Sequence, residues 1–414
     1  MYLKLAIKSL INRKASVLLT IATISVSLFV MLGVDHIRHQ AKSSFASSVS
    51  GVDLIVGSRT SSINLLLYSV FRIGSPTNNI GWQSYERIAK AKPVRWAVPI
   101  SLGDSHKGYR VMGTTKNYFE FYSYANNQAL HFDQGKPFDA VFDVVLGANV
   151  AKQLGYHLGD KITLSHGIGN TSFIKHDKLP FNVVGILATT GTPVDQTLHV
   201  SLQGLEAVHV SKPKEVKYLI NNPQLPLSQA KHLIPKSVTA IMVGLHSKIA
   251  VFNFQRLINA DKLEPLTAIL PGVALAQLWQ TMTVFDNTLK LITLLVIISS
   301  LIGLCASLLS SIKERVNEIK LLRIIGASAS YVFSLIELEA LLIALISTVI
   351  ALTGLYIALS LTQAFILTHY GVLIETQLFT QSSMSLIAGF LLFVIIAAIP
   401  PGIAAFNLAK SGKS

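Results

Sequence analysis

The segment Ser311-Ile312-Lys313-Glu314-Arg315-Val316-Asn317-Glu318-Ile319-Lys320-Leu321-Leu322-Arg323-Ile324-Ile325-Gly326-Ala327-Ser328 lies between two long apolar stretches. Charges of both signs are interspersed at Lys313, Glu314, Arg315, Glu318, Lys320 and Arg323. Apolar Ile312, Val316, Ile319, Leu322 and Ile325 recur every three to four residues. That spacing predicts an amphipathic helix of about 13 residues over 313–325. It closes at Gly326, a residue able to take the left-handed cap conformation. A loop that only joins two helices needs no such order. A rigid helix lying flat at a membrane face is suited to passing force from a partner into the helices on either side. A plain interfacial helix accounts for the periodicity equally well.

Outward from this segment, four runs carry no Asp, Glu, Lys or Arg: Ala15 to Val34, Leu291 to Ile312, Ala340 to Ile374 and Gln381 to Ala409. A membrane-crossing helix needs about 20 predominantly apolar residues, and each run supplies them. The third is long enough to leave the membrane near His369, Tyr370 and Gly371. Composition agrees, with 51% hydrophobic residues and only 14% charged ones, where a soluble domain has about 25% charged. Such apolar content excludes a disordered chain. A single cysteine excludes a disulfide framework and a cysteine-based zinc site. Lys4, Lys8, Arg13 and Lys14 before the first run resemble the start of a signal peptide. However, the run exceeds a typical h-region and no small-x-small cleavage site follows Val34, so the expectation is a retained anchor.

Basic residues set the orientation. Lys4, Lys8, Arg13 and Lys14 precede the first span, Lys313, Arg315, Lys320 and Arg323 separate the second and third, and Lys410 and Lys413 follow the fourth. The short connection between spans three and four has only Glu375. The positive-inside rule therefore places both termini and residues 313–326 in the cytoplasm. The fold class expected is a membrane protein of four transmembrane helices, with a large α+β extracytoplasmic domain between helices 1 and 2 and cytoplasmic N and C termini. Of 35 basic and 21 acidic residues, 25 and 16 fall within residues 35–290, so the large external part carries about +9 of the net +14. Such a surface suits anionic lipid or an acidic partner. No basic run with interleaved aromatics supports nucleic-acid binding.

The external part alternates strand-like runs (53–57, 141–146, 161–164, 181–187, 198–202 and 238–245) with helical stretches (81–92, 148–155 and 249–259). A polar loop or hairpin tip is expected over Asn170–Pro180. Ile63 to Ile73 is strongly apolar with one charge, Arg72. It reads either as a buried core helix or as an amphiphile-facing helix near the outer leaflet, presenting Leu66, Leu67, Val70 and Phe71. His36 and His39 beside Asp35, and His166 and His176 beside Asp177, are the best local histidine groupings. Neither makes a convincing ligand set, and no metal site is expected.

The order Arg315-x-x-Glu318-Ile319-x-x-Leu322-Arg323-x-x-Gly326-Ala327-Ser328, followed by Glu339-Ala340, resembles permease subunits of the MacB/FtsX/LolC type, the type VII ABC transporters. Leu5-Ala6-Ile7-Lys8-Ser9-Leu10 before Arg13-Lys14 extends the resemblance, as does Ile399-Pro400-Pro401 before Ala404 and Ala405. Val145-Leu146-Gly147-Ala148, Gly159-Asp160-Lys161-Ile162 and Phe181-x-Val183-Val184-Gly185-Ile186-Leu187 resemble the family's external-domain signature. The resemblance implies an amphipathic cytosolic segment at 1–14, a first span at 15–37 and a periplasmic MacB-like domain at 38–280, with room for two subdomains. A stalk and second span follow at 281–312, a coupling helix at 313–326, a third span at 329–367, a short outer loop at 368–380, a fourth span at 381–409 and a cytosolic tail at 410–414.

It further implies a multi-pass protein of the bacterial inner membrane that pairs with a second permease copy, as homodimer or related heterodimer, and with a cytosolic ABC ATPase dimer. The ATPase subunits bind the ATP and Mg, and closure of the ATPases pushes on the coupling helix. The cargo is then amphiphilic, lipidated or another envelope component, and lipoprotein release and efflux are both open. A periplasmic adaptor or lipoprotein is a further candidate partner. The alternative is a signalling subunit of FtsX type that regulates an envelope protein. No catalytic site and no Walker motif is legible. The one GK[ST], Gly412-Lys413-Ser414, has Asn407 where the P-loop's first glycine belongs, so the ATPase is expected on a partner chain. Glu337 and Glu339 are acidic residues inside the third span, where charge is costly and often functional. Packing at the cytosolic end of the bundle, with Arg323 or a neighbouring protomer as partner, is the expectation for Glu339; Glu337 has no assigned role.

Overall fold

The computed structural model describes residues 2–48, 50–125, 127–166, 179–210, 212–230, 232–370 and 377–411. Most of the loop expected at Asn170–Pro180, together with His176, Asp177, Glu375 and Gly412-Lys413-Ser414, lies outside the described residues. The chain divides into two compact units: a helical one of residues 1–40, 283–364 and 374–414, and one formed mainly by residues 41–282.

The chain opens with α1 (Tyr2–Asn12) and α2 (Lys14–Ser47). The second unit then runs β1 (Leu54–Ser58), α3 (Ser62–Ser69), β2 (Ile80–Gly81), α4 (Trp82–Ala89), β3 (Val94–His106), β4 (Tyr109–Thr114), α5 (Asn117–Phe121), β5 (Ser123–Tyr124), β6 (Gln128–Ala129), β7 (Phe132–Gly135) and β8 (Asp143–Leu146). It continues through α6 (Ala148–Leu154), β9 (Lys161–Ile162), β10 (Ser165–His166), β11 (Phe181–Leu187), β12 (Thr197–Ser201), α7 (Leu202–Val208), α8 (Pro213–Asn221), β13 (Ser237–Val238), β14 (Ala240–Leu245), α9 (Val251–Asn259), β15 (Leu266–Ile269) and α10 (Pro271–Thr281). Four helices complete the chain: α11 (Thr283–Glu314), α12 (Val316–Ile324), α13 (Ala329–Tyr370) and α14 (Gln381–Ser411).

One mixed sheet, ordered β15-β1-β14-β3-β4-β12-β8-β11-β7, organises the second unit. Strand β3 was not legible in the sequence, because Pro99 in its middle argues against a central strand. Its first half, Val94 to Ile100, pairs with β14, whereas pairing with β4 begins only at Ser101. The Pro99 carbonyl accepts from Thr114 Oγ1 at 2.9 Å, so that edge of Pro99 faces β4. The missing N–H falls on the same side, ahead of the first β4 pair, and costs no ladder bond. β3 thus pairs with β14 along its first half and with β4 along its second, and so links the two ends of one continuous sheet. The motif Gly147-Ala148 also has a local reason: a Cβ at Gly147 would run into the backbone carbonyls of Val194 and Asp195, so only glycine lets those segments meet.

The apolar segment after Ser61 is the core helix α3 rather than an amphiphile-facing one. Ser61 caps it by accepting from Asn64 N at 3.2 Å. Leu66, Val70 and Phe71 are buried and Leu67 is half-buried, in a cluster with Ile55, Trp96, Ala274 and Leu275. Phe45 packs on Phe71 with ring centroids 4.5 Å apart and the rings tilted by 33°. Lipid or amphiphile therefore has no access to the face formed by Leu66, Val70 and Phe71. Leu66→Ala is expected to lower the stability of this unit by about 2–5 kcal/mol, the cost of a cavity at a fully buried leucine. Denaturant unfolding followed by tryptophan fluorescence measures it, and a change within 0.5 kcal/mol of zero, as at an exposed site, would refute the burial.

His209 follows α7, its Nδ1 2.6 Å from the Leu205 carbonyl and its Nε2 3.7 Å from the buried Asp104 carboxylate. The neighbouring carboxylate raises the imidazole's pKa above its usual value. The charged imidazole is favoured in the fold, so its stabilisation is complete below the unfolded pKa of about 6.5 and fades as pH rises through the higher folded value. Wild type should therefore exceed His209→Gln in stability more at about pH 6 than at about pH 8. A difference that does not change with pH contradicts this.

In the helical unit, α2, α11, α13 and α14 are long and apolar enough to cross a membrane. α2 sits against two neighbours through hydroxyl and small side chains. Thr20 Oγ1 donates to Ser307 Oγ at 2.9 Å, Ser27 bonds Ser300, and Ser347 Oγ donates to the Ile21 carbonyl at 3.3 Å. Small residues let membrane helices approach closely, and hydroxyl bonds are satisfied between or within them. α11 is one continuous helix of 32 residues, about 48 Å at 1.5 Å per residue.

Candidate coupling site at the α11–α12 break

The amphipathic segment is two helices rather than one. α11 continues through Lys313 and Glu314, Arg315 leaves helical geometry at φ −107° and ψ 17°, and α12 begins at Val316. The expected helix over 313–325 is thereby corrected to Val316–Ile324. Hydrophobic spacing could not reveal the break, because Ile312, Val316 and Ile319 keep their three- to four-residue rhythm across it. The break coincides with a residue, Arg315, whose side chain is held on both sides. Its Nη1 donates to Glu339 Oε1 at 2.8 Å and its Nε to Glu318 Oε2 at 2.8 Å.

The far end of α12 is closed as expected. Gly326 has φ +97°, Ala327 N donates to the Leu322 carbonyl at 2.9 Å, and Gly326 N to that of Arg323 at 3.1 Å. These are the two bonds of a Schellman motif. Arg323 Nη1 adds a bond to the Ala327 carbonyl at 2.6 Å. Ser328 Oγ then accepts from Tyr331 N at 3.1 Å and starts α13. The helix is therefore short, fixed at both ends and joined to its neighbours with little slack.

Ile319 is buried, Leu322 and Arg323 are half-buried, and α12 packs on α14. Lys313, Glu314, Glu318 and Gly326 are exposed. So are the apolar Leu321, Ile324 and Ile325, the last two about 80% accessible. This exposed apolar face was not singled out from the sequence, because periodicity assigns Ile325 to the buried side.

Glu339 is fully buried and carries two arginines: Arg315 on Oε1 and Arg13 Nη2 on Oε2 at 3.1 Å. Arg323, the expected partner, is engaged in the helix cap instead. Arg13 drew attention in the sequence only as part of a basic segment. The signal that could have found it is that an arginine at the edge of one span and a carboxylate inside another are the complementary charges available at the cytosolic end. Glu337 lies elsewhere, beside α14: a Cβ on Gly402 would be 2.7 Å from the Phe333 ring and 3.5 Å from Glu337 Oε1. Neither Glu337 oxygen has a hydrogen-bond partner among the described residues. Among those residues no group of three or more His, Cys, Asp or Glu is arranged to hold a metal; His36 is buried on α2 and Asp35 accepts from Ser382 at 2.9 Å.

Residues 17–260 match the family model of the MacB-like periplasmic core domain, and residues 290–412 match that of the FtsX-like permease C-terminal domain. The chain belongs to the MacB/FtsX-like ABC permease family. The second match spans α12, Arg315 and Glu339, so the permease carries its α11–α12 break inside the membrane-domain model. The chain is similar to the periplasmic region of MacB from Actinobacillus actinomycetemcomitans at 13% identity, covering 58% of this chain and 97% of that one, with a TM-score of 0.33. It is also similar to the extracellular domain of the noncanonic ABC-type transporter YknZ from Gram-positive bacteria, at 11% identity over 53% and 98% of the two chains, TM-score 0.29. No curated protein matches it. The permease is thus a multi-pass membrane protein with an extracytoplasmic domain, in a family of permease subunits rather than enzymes.

Proposed function

We propose that this permease transmits the ATP-driven movement of a cytosolic ABC ATPase dimer through α12 to its extracytoplasmic domain. The observation that carries the reading is α12 itself: nine residues, capped, packed on the bundle by Ile319 and tied to it by Arg315, with Leu321, Ile324 and Ile325 facing outward. An exposed apolar patch rimmed by Glu318 and Lys320 has the character of a protein-docking surface. Force on it passes into α11, a single rod longer than the roughly 30 Å hydrocarbon core. Through Met282, α11 is joined along the chain to α10, whose Ala274 and Leu275 belong to the core of the external domain.

The hydroxyls of Thr20, Ser27, Ser300 and Ser347 bond to one another's helices or to backbone carbonyls, an arrangement that favours mechanical work on the external domain over passage through a polar pore. ATP and Mg belong to the ATPase partner, a second permease copy completes the assembly, and the termini lie in the cytoplasm of a bacterial inner membrane. The cargo class is an amphiphilic, lipidated or other envelope component handled outside. Signalling of FtsX type is the less favoured reading, since residues 17–260, which include most of the external unit, match the MacB-like core domain.

A photocrosslinking residue at Ile324 tests the docking step in membranes. The expected product joins the permease to an ABC ATPase. Crosslinks to lipid alone, with the ATPase present, would remove α12 as the docking helix.

A further inference from the structure

Two consecutive helix pairs in the helical unit are separated by a single residue, and in both cases that residue is an arginine. Arg13 stands between α1 and α2, and Arg315 between α11 and α12. One carboxylate holds both: Glu339 gives Oε2 to Arg13 at 3.1 Å and Oε1 to Arg315 at 2.8 Å. Each guanidinium also reaches back to its own surface helix. Arg13 Nη2 lies 3.4 Å from Ser9 Oγ on α1, and Arg315 Nε 2.8 Å from Glu318 on α12. The polar path therefore runs Ser9, Arg13, Glu339, Arg315, Glu318, from one surface helix through α13 to the other.

We propose that Glu339 is a positioning residue that yokes α1 to α12, so that a push on α12 displaces α1 and the start of α2 with it. The proposal rests on the coupling reading of α12 and adds a second moving part to it. Glu339 is fully buried, and Arg315 and Arg13 have only 8% and 12% of their side chains accessible. Pulling either arginine from the carboxylate would leave unpaired charge in a poorly solvated site, which is strongly unfavourable. Rotation about a one-residue break is the easier response, since hinges need only a few element-terminal residues to absorb the change. With both breaks fastened to one carboxylate, the two surface helices turn together. Without the yoke, α1 would stay still as a membrane-surface anchor while α12 moved.

Spin labels test this in the full chain assembled with its ATPase in nanodiscs, on a Cys305→Ser background. Labels at Ile11 on α1 and Lys320 on α12 are each paired with one at Leu392 on α14, and distances are read without nucleotide and in the vanadate-trapped state. In the otherwise wild-type protein both the α1–α14 and α12–α14 distances are expected to shift. In the triple variant Arg13→Met, Arg315→Met, Glu339→Leu, which removes the three buried charges of the cluster and roughly keeps side-chain volume, the α12 shift remains and the α1 shift is lost. An α1 that stays fixed while α12 shifts in the otherwise wild-type protein overturns the yoke alone, and so does an α1 shift that survives the triple variant. An α12 that stays fixed during ATP turnover overturns the coupling reading and the yoke with it.

Discussion

Replacing Glu339 alone by leucine is expected to destabilise the helical unit by about 3–5 kcal/mol, because Arg315 and Arg13 are left buried without their carboxylate. The loss is the penalty for uncompensated charge rather than the worth of the ion pairs. Taking three charged groups out of water to build the cluster is itself costly, and their mutual attraction recovers little beyond that cost. The triple replacement Arg13→Met, Arg315→Met, Glu339→Leu should therefore recover most of the stability lost by the single change. Unfolding in mixed detergent micelles, followed by helical circular dichroism, measures both variants. A triple variant no more stable than Glu339→Leu would mean that the cluster is a net source of stability. The predicted pattern assigns it to geometry instead: it fixes where α1, α12 and α13 stand.

The second large effect is functional. Changing Leu321, Ile324 and Ile325 together to serine is expected to abolish stimulation of the partner ATPase by cargo, a loss of tenfold or more, since each 1.4 kcal/mol of lost docking energy weakens binding about tenfold. Three exposed apolar side chains buried in a partner's cleft contribute about 1.5–3 kcal/mol each, and the sum exceeds that threshold several-fold. All three face away from the bundle, so folding should be unaffected. A parallel change of Glu318 to alanine removes one of Arg315's two carboxylate bonds and should weaken coupling to a smaller extent. Unchanged transport-coupled ATP hydrolysis in reconstituted vesicles, with the triple serine variant correctly inserted, would exclude this face from the coupling step.

How much of this was legible beforehand follows from the physics of each feature. The four spans could be read because a bilayer demands about 20 uncharged residues in sequence, a local and unmistakable signal. Strand β11 could be read to the residue, since Phe181 to Leu187 is a short β-branched run bounded by turn residues, and α6 ended where Gly155 supplies a left-handed cap. Strand β3 was hidden by Pro99, whose tolerance depends on which edge of the strand faces β4, a tertiary fact. The segment Ile63 to Ile73 could not be assigned, because a core helix and an amphiphile-facing helix have the same apolar composition; burial by β1, β15 and α10 decides it.

The Glu339 cluster was the least accessible. Its partners lie 326 and 24 residues away, and the break at Arg315 leaves the hydrophobic rhythm undisturbed. Charge inside a span marks a residue worth explaining, yet it does not distinguish Glu339, which is held by two arginines, from Glu337, which lies beside Gly402 of α14. Only the meeting of α1, α12 and α13 makes that distinction.

The central claim is that movement of α12 reaches the extracytoplasmic domain. Its most direct test is a pulsed electron-spin distance between equivalent labels on the external domains of two permease copies, in nanodiscs with the ATPase, before and after trapping the hydrolysis state. The account predicts a distance that changes with nucleotide in the wild type and stays constant when Leu321, Ile324 and Ile325 are serine. A wild-type distance that stays constant through ATP turnover, at the full cargo-stimulated rate, would contradict it.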